Sequence, residues 1–253
     1  MKNLITTFVL FLSFLGFSQN AFDNGERLKF RLSYSSFLTA GYATLEVKSD
    51  FLKDKDVFHV VGKGKTTGMI SWFFKVKDRY ETYMYKENLL PFRFVRNINE
   101  GGYTKDKEIY FDHEAKKALV INKKKNKKKT YDTKEGVQDL LSALYFMRNQ
   151  DVSKFKKGDQ LTLNLFFDEE NVPMRLKFLG KETIKTKFGK IKTLKFRPLV
   201  QSGRVFKEEE SVTVWVSDDA NKIPLRIKAS LAVGSLRADL HSYKGLANPI
   251  SFN

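Results

Sequence analysis

Hydrophobic and polar residues alternate with a period of two along much of this chain. Near the start of the pattern, Leu28, Phe30 and Leu32 alternate with Lys29 and Arg31. The same alternation recurs at residues 43–48, 161–165 and 225–233. Because successive side chains of a strand point to opposite faces, the pattern predicts antiparallel strands that bury one face and expose the other.

One mid-chain segment repeats its apolar residues at helical spacing instead. Within residues 134–148, Val137, Leu141 and Leu144 recur three or four residues apart, and Asp132 or Thr133 is the candidate N-cap. Clusters of turn-forming residues separate the strand-like runs, so consecutive strands are expected to pair. We therefore predict an all-β, mainly antiparallel fold. It is a strongly curved sheet, a roll or a partly closed barrel, with one helix near residues 134–148.

The first residues have the layout of a secretory signal peptide. A basic start with Lys2 precedes an apolar run at residues 4–17, which is shorter than the roughly 20 residues that a transmembrane anchor needs. Cleavage is predicted after Ser18 or Gln19. We expect residues 1–19 to be the signal peptide and residues 20–253 to be a single β-rich domain. Its strands form either one sheet or two sub-sheets, about 25–131 and 159–245, on either side of the helix.

The predicted destination is the periplasm, with secretion as the alternative and no transmembrane span after cleavage. The chain has no cysteine, so it lacks a thiol for a lipid anchor, a disulfide or a zinc site. Its formal net charge is +17, which favours anionic partners, and export argues against nucleic acid as that partner. The charge is densest in a run of six lysines around Asn126: Lys123, Lys124, Lys125, Lys127, Lys128 and Lys129. We interpret the run first as a solvated hairpin tip, and alternatively as a contact with an anionic envelope component.

A second segment breaks the alternation with consecutive large apolar residues at 69–74. Trp72, Phe73 and Phe74 cannot all point to one face of a strand, so the default interpretation of this segment is core, and the alternative is an apolar lip that contacts a ligand or a membrane. Asp78 and Arg79 follow it as a candidate ion pair or hydrogen-bonding clamp. These five residues form the predicted ligand-binding set.

Searches for catalytic motifs give no reaction. The chain has no G-x-S-x-G and no H-E-x-x-H sequence, and residues 62–68 lack the spacing of a phosphate-binding loop. The three histidines have no ligand-like spacing, and the acidic runs 168–170, 208–210 and 218–219 fall in expected turns. We therefore predict no catalytic residue, metal or cofactor, and prefer a non-enzymatic role. A hydrolase that uses dispersed carboxylates is the weakest hypothesis.

Several segments in fixed order resemble the exported family called domain of unknown function 3108. The resemblance rests on residues 25–34, 40–43, 78–79, 138–148, 215–219, 223–225 and 233–235. It implies a periplasmic, β-rich, single-domain protein without an assigned reaction or cofactor, and supplies no catalytic residue. Two hypotheses remain ahead of the hydrolase. The protein binds an amphipathic, lipid-like or anionic envelope ligand in the concavity of its curved sheet, or it docks another envelope protein.

Overall fold

The computed structural model describes residues 20–35, 37–52, 54–200, 212–231 and 233–250. The predicted signal peptide and the acidic run 208–210 lie outside these ranges. The described chain forms strands and two helices. The strands are β1 (Arg27–Tyr34), β2 (Leu38–Leu52), β3 (Lys55–Thr66), β4 (Lys77–Tyr85), β5 (Pro91–Glu100), β6 (Tyr103–Asp112), β7 (Lys117–Asn122), β8 (Lys127–Asp132), β9 (Gln160–Phe167), β10 (Glu170–Thr186), β11 (Gly189–Val200), β12 (Val212–Ser217), β13 (Pro224–Ser230) and β14 (Ser235–Lys244). The helices are α1 (Ile70–Phe73) and α2 (Leu140–Arg148).

All fourteen strands belong to one antiparallel sheet, which confirms the predicted fold class. The sheet runs from β8 back through β7 to β1, continues to β14, and then runs back from β13 to β9. Pairing of β1 with β14 joins the strands before the helix to those after it in a single sheet. Strands β8 and β9 lie at the two edges, so the sheet is not closed.

The main core lies between α2 and the strands that precede it. Phe22, Phe58 and Tyr145 are fully buried there, and the Phe22 ring meets the Tyr145 ring edge-on with centroids 4.6 Å apart. A second apolar cluster, around Leu28 and Leu225, lies where the two halves of the sheet meet. Burial of these alternate strand positions is the driving force that the sequence pattern predicts.

Helix α2 begins later than its sequence pattern predicts. Its N-cap is Asp139, so the prediction of Asp132 or Thr133 is wrong. The Asp139 side chain accepts hydrogen bonds from the backbone N–H groups of Leu141 and Ser142, and the Ser142 hydroxyl accepts one from the Asp139 N–H, which completes a capping box. Gln138 is bridged to Leu165 of β9, and that extended pairing keeps the preceding residues out of the helix.

The β9–β10 turn links the two edges of the sheet through side chains. Asp168 accepts hydrogen bonds from Arg96 at 2.6 Å and from Lys105 at 2.8 Å. Glu169 accepts them from Lys107 and from the Tyr131 hydroxyl on the edge strand β8. Ion pairs to β5 and β6, and a hydrogen bond from β8, therefore connect β9 and β10 to these strands where backbone pairing is missing.

The described part of the chain contains no helix that is both long and apolar enough to cross a membrane.

Candidate functional site

The inner face of the sheet and helix α2 line an open apolar cavity of about 430 Å³. Helix α2 contributes one wall through Leu144 and Met147, and strands β9 to β13 contribute the other. Seventeen of the nineteen lining residues are apolar: Leu140, Leu141, Ala143, Leu144, Met147, Val152, Leu161, Leu165, Phe167, Val172, Met174, Leu176, Phe196, Pro198, Val214, Val216 and Ile227. A concave, mainly apolar site of this size is typical of a binding site for a small ligand.

The two remaining lining residues, Arg148 and Lys222, are cations. Arg148 is neutralised, because its guanidinium donates to both carboxylate oxygens of buried Glu26 at 2.6 and 2.7 Å. Lys222 lies in the connection between β12 and β13, beyond Ser217 at the end of β12. Burial lowers the pKa of the Lys222 ammonium. The cavity thus combines apolar walls with one partly buried positive charge.

The first half of the lysine run, Lys123 to Lys125, lies in the turn between β7 and β8, and Lys127 to Lys129 begin β8. The Lys123 ammonium donates a hydrogen bond to the Glu108 carboxylate on β6 at 2.5 Å. Burial disfavours the Glu108 carboxylate, but hydrogen bonds from Lys123, Tyr110 and Arg93 outweigh it and hold the Glu108 pKa at about 2. Lys123 is therefore committed to an internal ion pair and is less available to an external anion.

The other lysines of the run border a basic concavity of about 680 Å³. Lys124 donates to the Thr104 hydroxyl, and the Lys129 ammonium lies 4.8 Å from the centre of the Tyr131 ring. The lining cations are Lys105, Lys107, Lys124, Lys125, Lys127, Lys128 and Lys129, and the acidic residue in the lining is Glu169. The structure thus gathers lysines that are adjacent in sequence with two from β6, which the sequence does not indicate.

Asp78 and Arg79 do not pair with each other. Arg79 is exposed and donates to Glu81 at 2.6 Å, and the same Glu81 carboxylate contacts His59 at 2.7 Å. Asp78 accepts a hydrogen bond from the backbone N–H of Asn99, and burial raises its pKa to about 6. The interpretation of these two residues as a buried ion pair is therefore wrong. Both line a groove of about 940 Å³ together with Arg27, Lys29, Lys63, Lys65 and Lys77.

The segment at 69–74 is not core. Trp72 is 81% exposed, Phe73 is 86% exposed and Phe74 is 53% exposed, on and beside the one-turn helix α1. The default interpretation of this segment as core is therefore wrong. Trp72, Phe73 and Phe74 also do not line the apolar cavity. They form a separate exposed surface, whose contact with a ligand or membrane remains a prediction.

The three histidines lie on different strands or turns. His59 is stacked on Tyr83, His113 contacts the Pro91 carbonyl, and His241 meets the Tyr42 ring. Across the described ranges, no group of three or more histidine and acidic residues is arranged to hold a metal ion. Asp168 is partly buried, but the hydrogen bond from Lys105 and the charge of Arg96 outweigh burial and hold its pKa below the ordinary value. It is therefore ionised and paired rather than available as a general acid.

The sequence pattern supports a ligand in the concavity of the curved sheet but does not identify the residues that line the cavity. Periodicity alone does not distinguish a filled interior from a hollow one. The lining is defined only when the strand order places β9 to β13 opposite α2.

Comparison with solved structures supports the fold. A β-barrel-like protein of the domain of unknown function DUF1849 from Brucella abortus has a TM-score of 0.53 and 11% identity, and the match covers 86% of this chain and 96% of that chain. A candidate lipoprotein from Parabacteroides distasonis, also at 11% identity, has a TM-score of only 0.35 over 89% of this chain and 99% of that chain. At these identities the first likeness shows the fold alone, and the second is too weak to carry an argument.

Family comparison agrees with the resemblance seen in the sequence. No curated protein matches the chain. The family model described as protein of unknown function DUF3108 matches residues 29–241, which include all fourteen strands except the ends of β1 and β14, together with both helices. The chain therefore belongs to the DUF3108 family.

Proposed function

We propose that this protein is an exported, non-catalytic envelope protein that binds an amphipathic, lipid-like ligand between α2 and strands β9 to β13. The observation that carries the proposal is the apolar cavity. Its volume of about 430 Å³ lies within the range of about 300–1,000 Å³ typical of small-ligand sites. A wall of seventeen apolar residues favours a hydrocarbon over a polar metabolite, because a buried polar group would find few hydrogen-bond partners there.

The charge at one end of the cavity supports a ligand with an acidic group. Arg148 is already paired with Glu26. Lys222, which lies near the charges of Asp151 and Asp219, is therefore the lining cation that an anion can contact. An acidic group beside Lys222 would offset the cost of burying its ammonium. A chain with a carboxylate or phosphate at one end matches this arrangement of apolar wall and terminal cation.

The export part of the proposal rests on the sequence. A basic start, an apolar run of about a dozen residues and small residues at the predicted cleavage site are the three parts of a signal peptide. Binding of lipid-like molecules is consistent with an envelope location, where such molecules are abundant. We therefore place the protein in the periplasm, with secretion as the alternative.

The first experiment is native mass spectrometry of the protein purified from its own envelope, followed by organic extraction. We expect a co-purifying acidic lipid at a fixed stoichiometry. The second is titration with a fluorescent fatty acid. Val214→Trp places a large side chain in the cavity and is expected to weaken binding at least about tenfold. The control is Thr213→Trp, because Thr213 is the neighbouring residue in β12 and does not line the cavity.

The head-group contact has its own test. Lys222→Gln is expected to weaken binding of the fatty acid more than binding of the corresponding alcohol, because only the acid carries the charge that Lys222 would neutralise. Lys192→Gln, an exposed lysine on β11 outside the cavity, is the matched control. Equal affinity of wild type and Val214→Trp for the fatty acid, with both proteins folded, would overturn the proposed function.

A further inference from the structure

Alternate connections of this sheet lie at the same end, because consecutive strands run antiparallel. The connections β1–β2, β3–β4, β5–β6 and β7–β8 share one end. The β13–β14 connection joins them, since Leu236 of β14 lies opposite Tyr34 at the end of β1. The β2–β3 connection lies at the other end. We call the end that carries the β1–β2, β3–β4, β5–β6, β7–β8 and β13–β14 connections the apolar end, because it exposes apolar side chains.

Exposed apolar side chains are concentrated at this end. Twelve large apolar residues are exposed in the described ranges. Nine of them belong to these connections or to the strand residues beside them: Phe37, Met69, Trp72, Phe73, Phe74, Tyr103, Leu231, Val233 and Leu236. Single exposed apolar residues are ordinary, whereas a concentration of this kind marks an interaction surface.

The β3–β4 connection, residues 67–76, is fixed in position by hydrogen bonds at both flanks. The Thr67 N–H donates to the Ala40 carbonyl, and the Val76 N–H donates to the Thr66 hydroxyl. The Gly101 N–H donates to the Lys75 carbonyl. These bonds tie the connection to β2, to the end of β3 and to the β5–β6 turn. The α1 turn between the flanks therefore projects from a fixed base.

Phe74 fixes the inner side of the turn. Its ring lies over Gly101, where a Cβ would be only 2.5 Å from the ring atom Cε2, so a residue with a side chain would displace the ring. Within the turn, the Phe74 N–H donates to the Ile70 carbonyl at 2.8 Å, and the Ser71 hydroxyl donates to the Gly68 carbonyl at 2.6 Å. The fold thus keeps the side chains of Trp72 and Phe73 exposed to solvent.

The surroundings of this turn are cationic. Residues 57–77 include four lysines and no acidic residue. Lys63, Lys65 and Lys77 line the groove at the base of the turn, and no described carboxylate lies within ion-pair distance of them. The lysine-rich β7–β8 turn lies at the same end of the sheet. Apolar side chains among unpaired cations match the chemistry of an anionic bilayer, whose head groups are negative and whose interior is apolar.

We propose that the apolar end docks on an anionic phospholipid bilayer. Trp72 and Phe73 insert at the boundary between head groups and acyl chains, where the amphipathic indole of tryptophan is favoured. Lys63, Lys65 and Lys77 lie at the level of the lipid phosphates. The proposal is independent of the ligand in the cavity, because none of these five residues lines it.

The test is binding to vesicles of phosphatidylglycerol and phosphatidylethanolamine, with phosphatidylcholine vesicles for comparison. We expect binding to the anionic vesicles, weakened at least about tenfold by Trp72→Ser with Phe73→Ser. Phe51→Ser is the matched control, since Phe51 is 63% exposed at the β2–β3 connection on the opposite end. The chain has two tryptophans, and Trp215 is buried, so a blue shift of the fluorescence on binding reports Trp72.

The cationic part of the surface is tested by charge-matched variants. Replacing Lys63, Lys65 and Lys77 with glutamine is expected to weaken binding to anionic vesicles by about a hundredfold, from roughly 1 kcal/mol per lysine. The control replaces Lys116, Lys187 and Lys190, which lie in or beside connections at the opposite end. Equal loss in both triple variants would indicate attraction by net charge alone and overturn the proposal. Binding without a shift of the Trp72 fluorescence, or no binding to anionic vesicles, would also overturn it.

Discussion

Arg148 joins three separate segments of the chain through one guanidinium group. It donates to the Glu26 carboxylate through two nitrogens, to the Ala21 carbonyl at 2.9 Å and to the Asn221 carbonyl at 3.0 Å. Both side chains of the Arg148–Glu26 pair are almost completely buried. Removing two charges from water is costly, and only the forked geometry and the added carbonyl acceptors offset that cost.

Because this pair is buried, we predict that breaking it costs more stability than breaking an exposed ion pair. Glu26→Gln leaves the Arg148 charge buried without its counter-ion, so we expect the free energy of unfolding to fall by about 3–5 kcal/mol in urea denaturation. The control is Glu46→Gln, whose partner Arg27 is half exposed, with an expected cost below about 1 kcal/mol. Similar losses in the two variants would show that burial of the Arg148 pair has no special energetic role.

The Asp139 carboxyl, which caps helix α2, makes the stability of the protein depend on pH. Burial raises its pKa to about 6, against hydrogen bonds from Thr82, Ser142 and Leu141. The folded-state pKa lies above the ordinary value of 3.8, so the folded state binds the proton more tightly than the unfolded state. The free energy of unfolding should therefore fall as pH rises from about 4 to 6, by about 3 kcal/mol from this group, and change little above that window.

The variant Asp139→Asn isolates this contribution. Asparagine keeps an oxygen acceptor for the helix cap and carries no charge at any pH. We expect the stability of the variant relative to wild type to rise by about 3 kcal/mol between about pH 4 and pH 7, measured by urea unfolding. The raised pKa of Asp78 affects both proteins alike and cancels in the difference. Parallel stability curves for the two proteins would contradict the prediction.

At the scale of elements, the β9–β10 turn replaces the missing pairing between the two edge strands. Asp168 and Glu169 both adopt positive φ there, and their carboxylates reach across to Arg96, Lys105 and Lys107. Unpaired strand edges invite association with other chains, and covering them is a common protection. The ion pairs to β5 and β6, and the hydrogen bond from Tyr131 of β8 to Glu169, join the two edges without closing the sheet.

Removing these carboxylates should loosen the edges. For Asp168→Asn with Glu169→Gln, we expect faster hydrogen exchange in β8 and β9 and a free energy of unfolding lower by about 1–3 kcal/mol, because charge-assisted hydrogen bonds to mostly buried cations are lost. Asp218→Asn, which breaks an exposed pair with Lys181, serves as the control and should leave exchange in both strands unchanged. Unaltered exchange in the double variant would mean that the turn does not hold the edges.

Element type was more predictable than element position. Alternation identified strands such as β1 and β9, where alternate residues such as Leu28 and Leu163 are buried. The start of α2 was not predictable from the sequence pattern. Asp139 becomes the cap because its side chain accepts a hydrogen bond from Thr82 and because the preceding residue, Gln138, is bridged to Leu165. The exposure of Trp72 and Phe73 was also unpredictable from pattern, because consecutive apolar residues are usually core.

At the scale of the whole molecule, the order of the strands determines which surfaces exist. Pairing of β1 with β14 places β13 to β9 beyond β1, where they can face α2 across the cavity. The same pairing brings Val233 and Leu236 to the end of the sheet that carries the aromatic α1 turn. Neither neighbourhood follows from sequence proximity, so both candidate surfaces emerge only from the assembled sheet.

The cavity and the apolar end lie on different elements, which predicts that they can be separated by mutation. The cavity uses α2 and β9 to β13, whereas the membrane contact proposed here uses the β3–β4 connection. Trp72→Ser with Phe73→Ser should therefore leave the affinity for a fluorescent fatty acid in solution unchanged. Val214→Trp should have the opposite effect: it should weaken binding of the fatty acid and leave binding to anionic vesicles unchanged.

Together the two surfaces predict how the protein acquires its ligand. If loading occurs at the bilayer, the Trp72 and Phe73 double variant should take up the fatty acid from anionic vesicles roughly tenfold more slowly, as its membrane-bound population falls. Stopped-flow fluorescence of vesicles that contain the probe measures this rate, with Phe51→Ser as the control. Equal uptake rates for wild type and the double variant would show that the ligand reaches the cavity through water. Slower uptake at unchanged affinity requires the bilayer contact to precede ligand entry, because only then does a distant surface limit the rate of loading without altering the site.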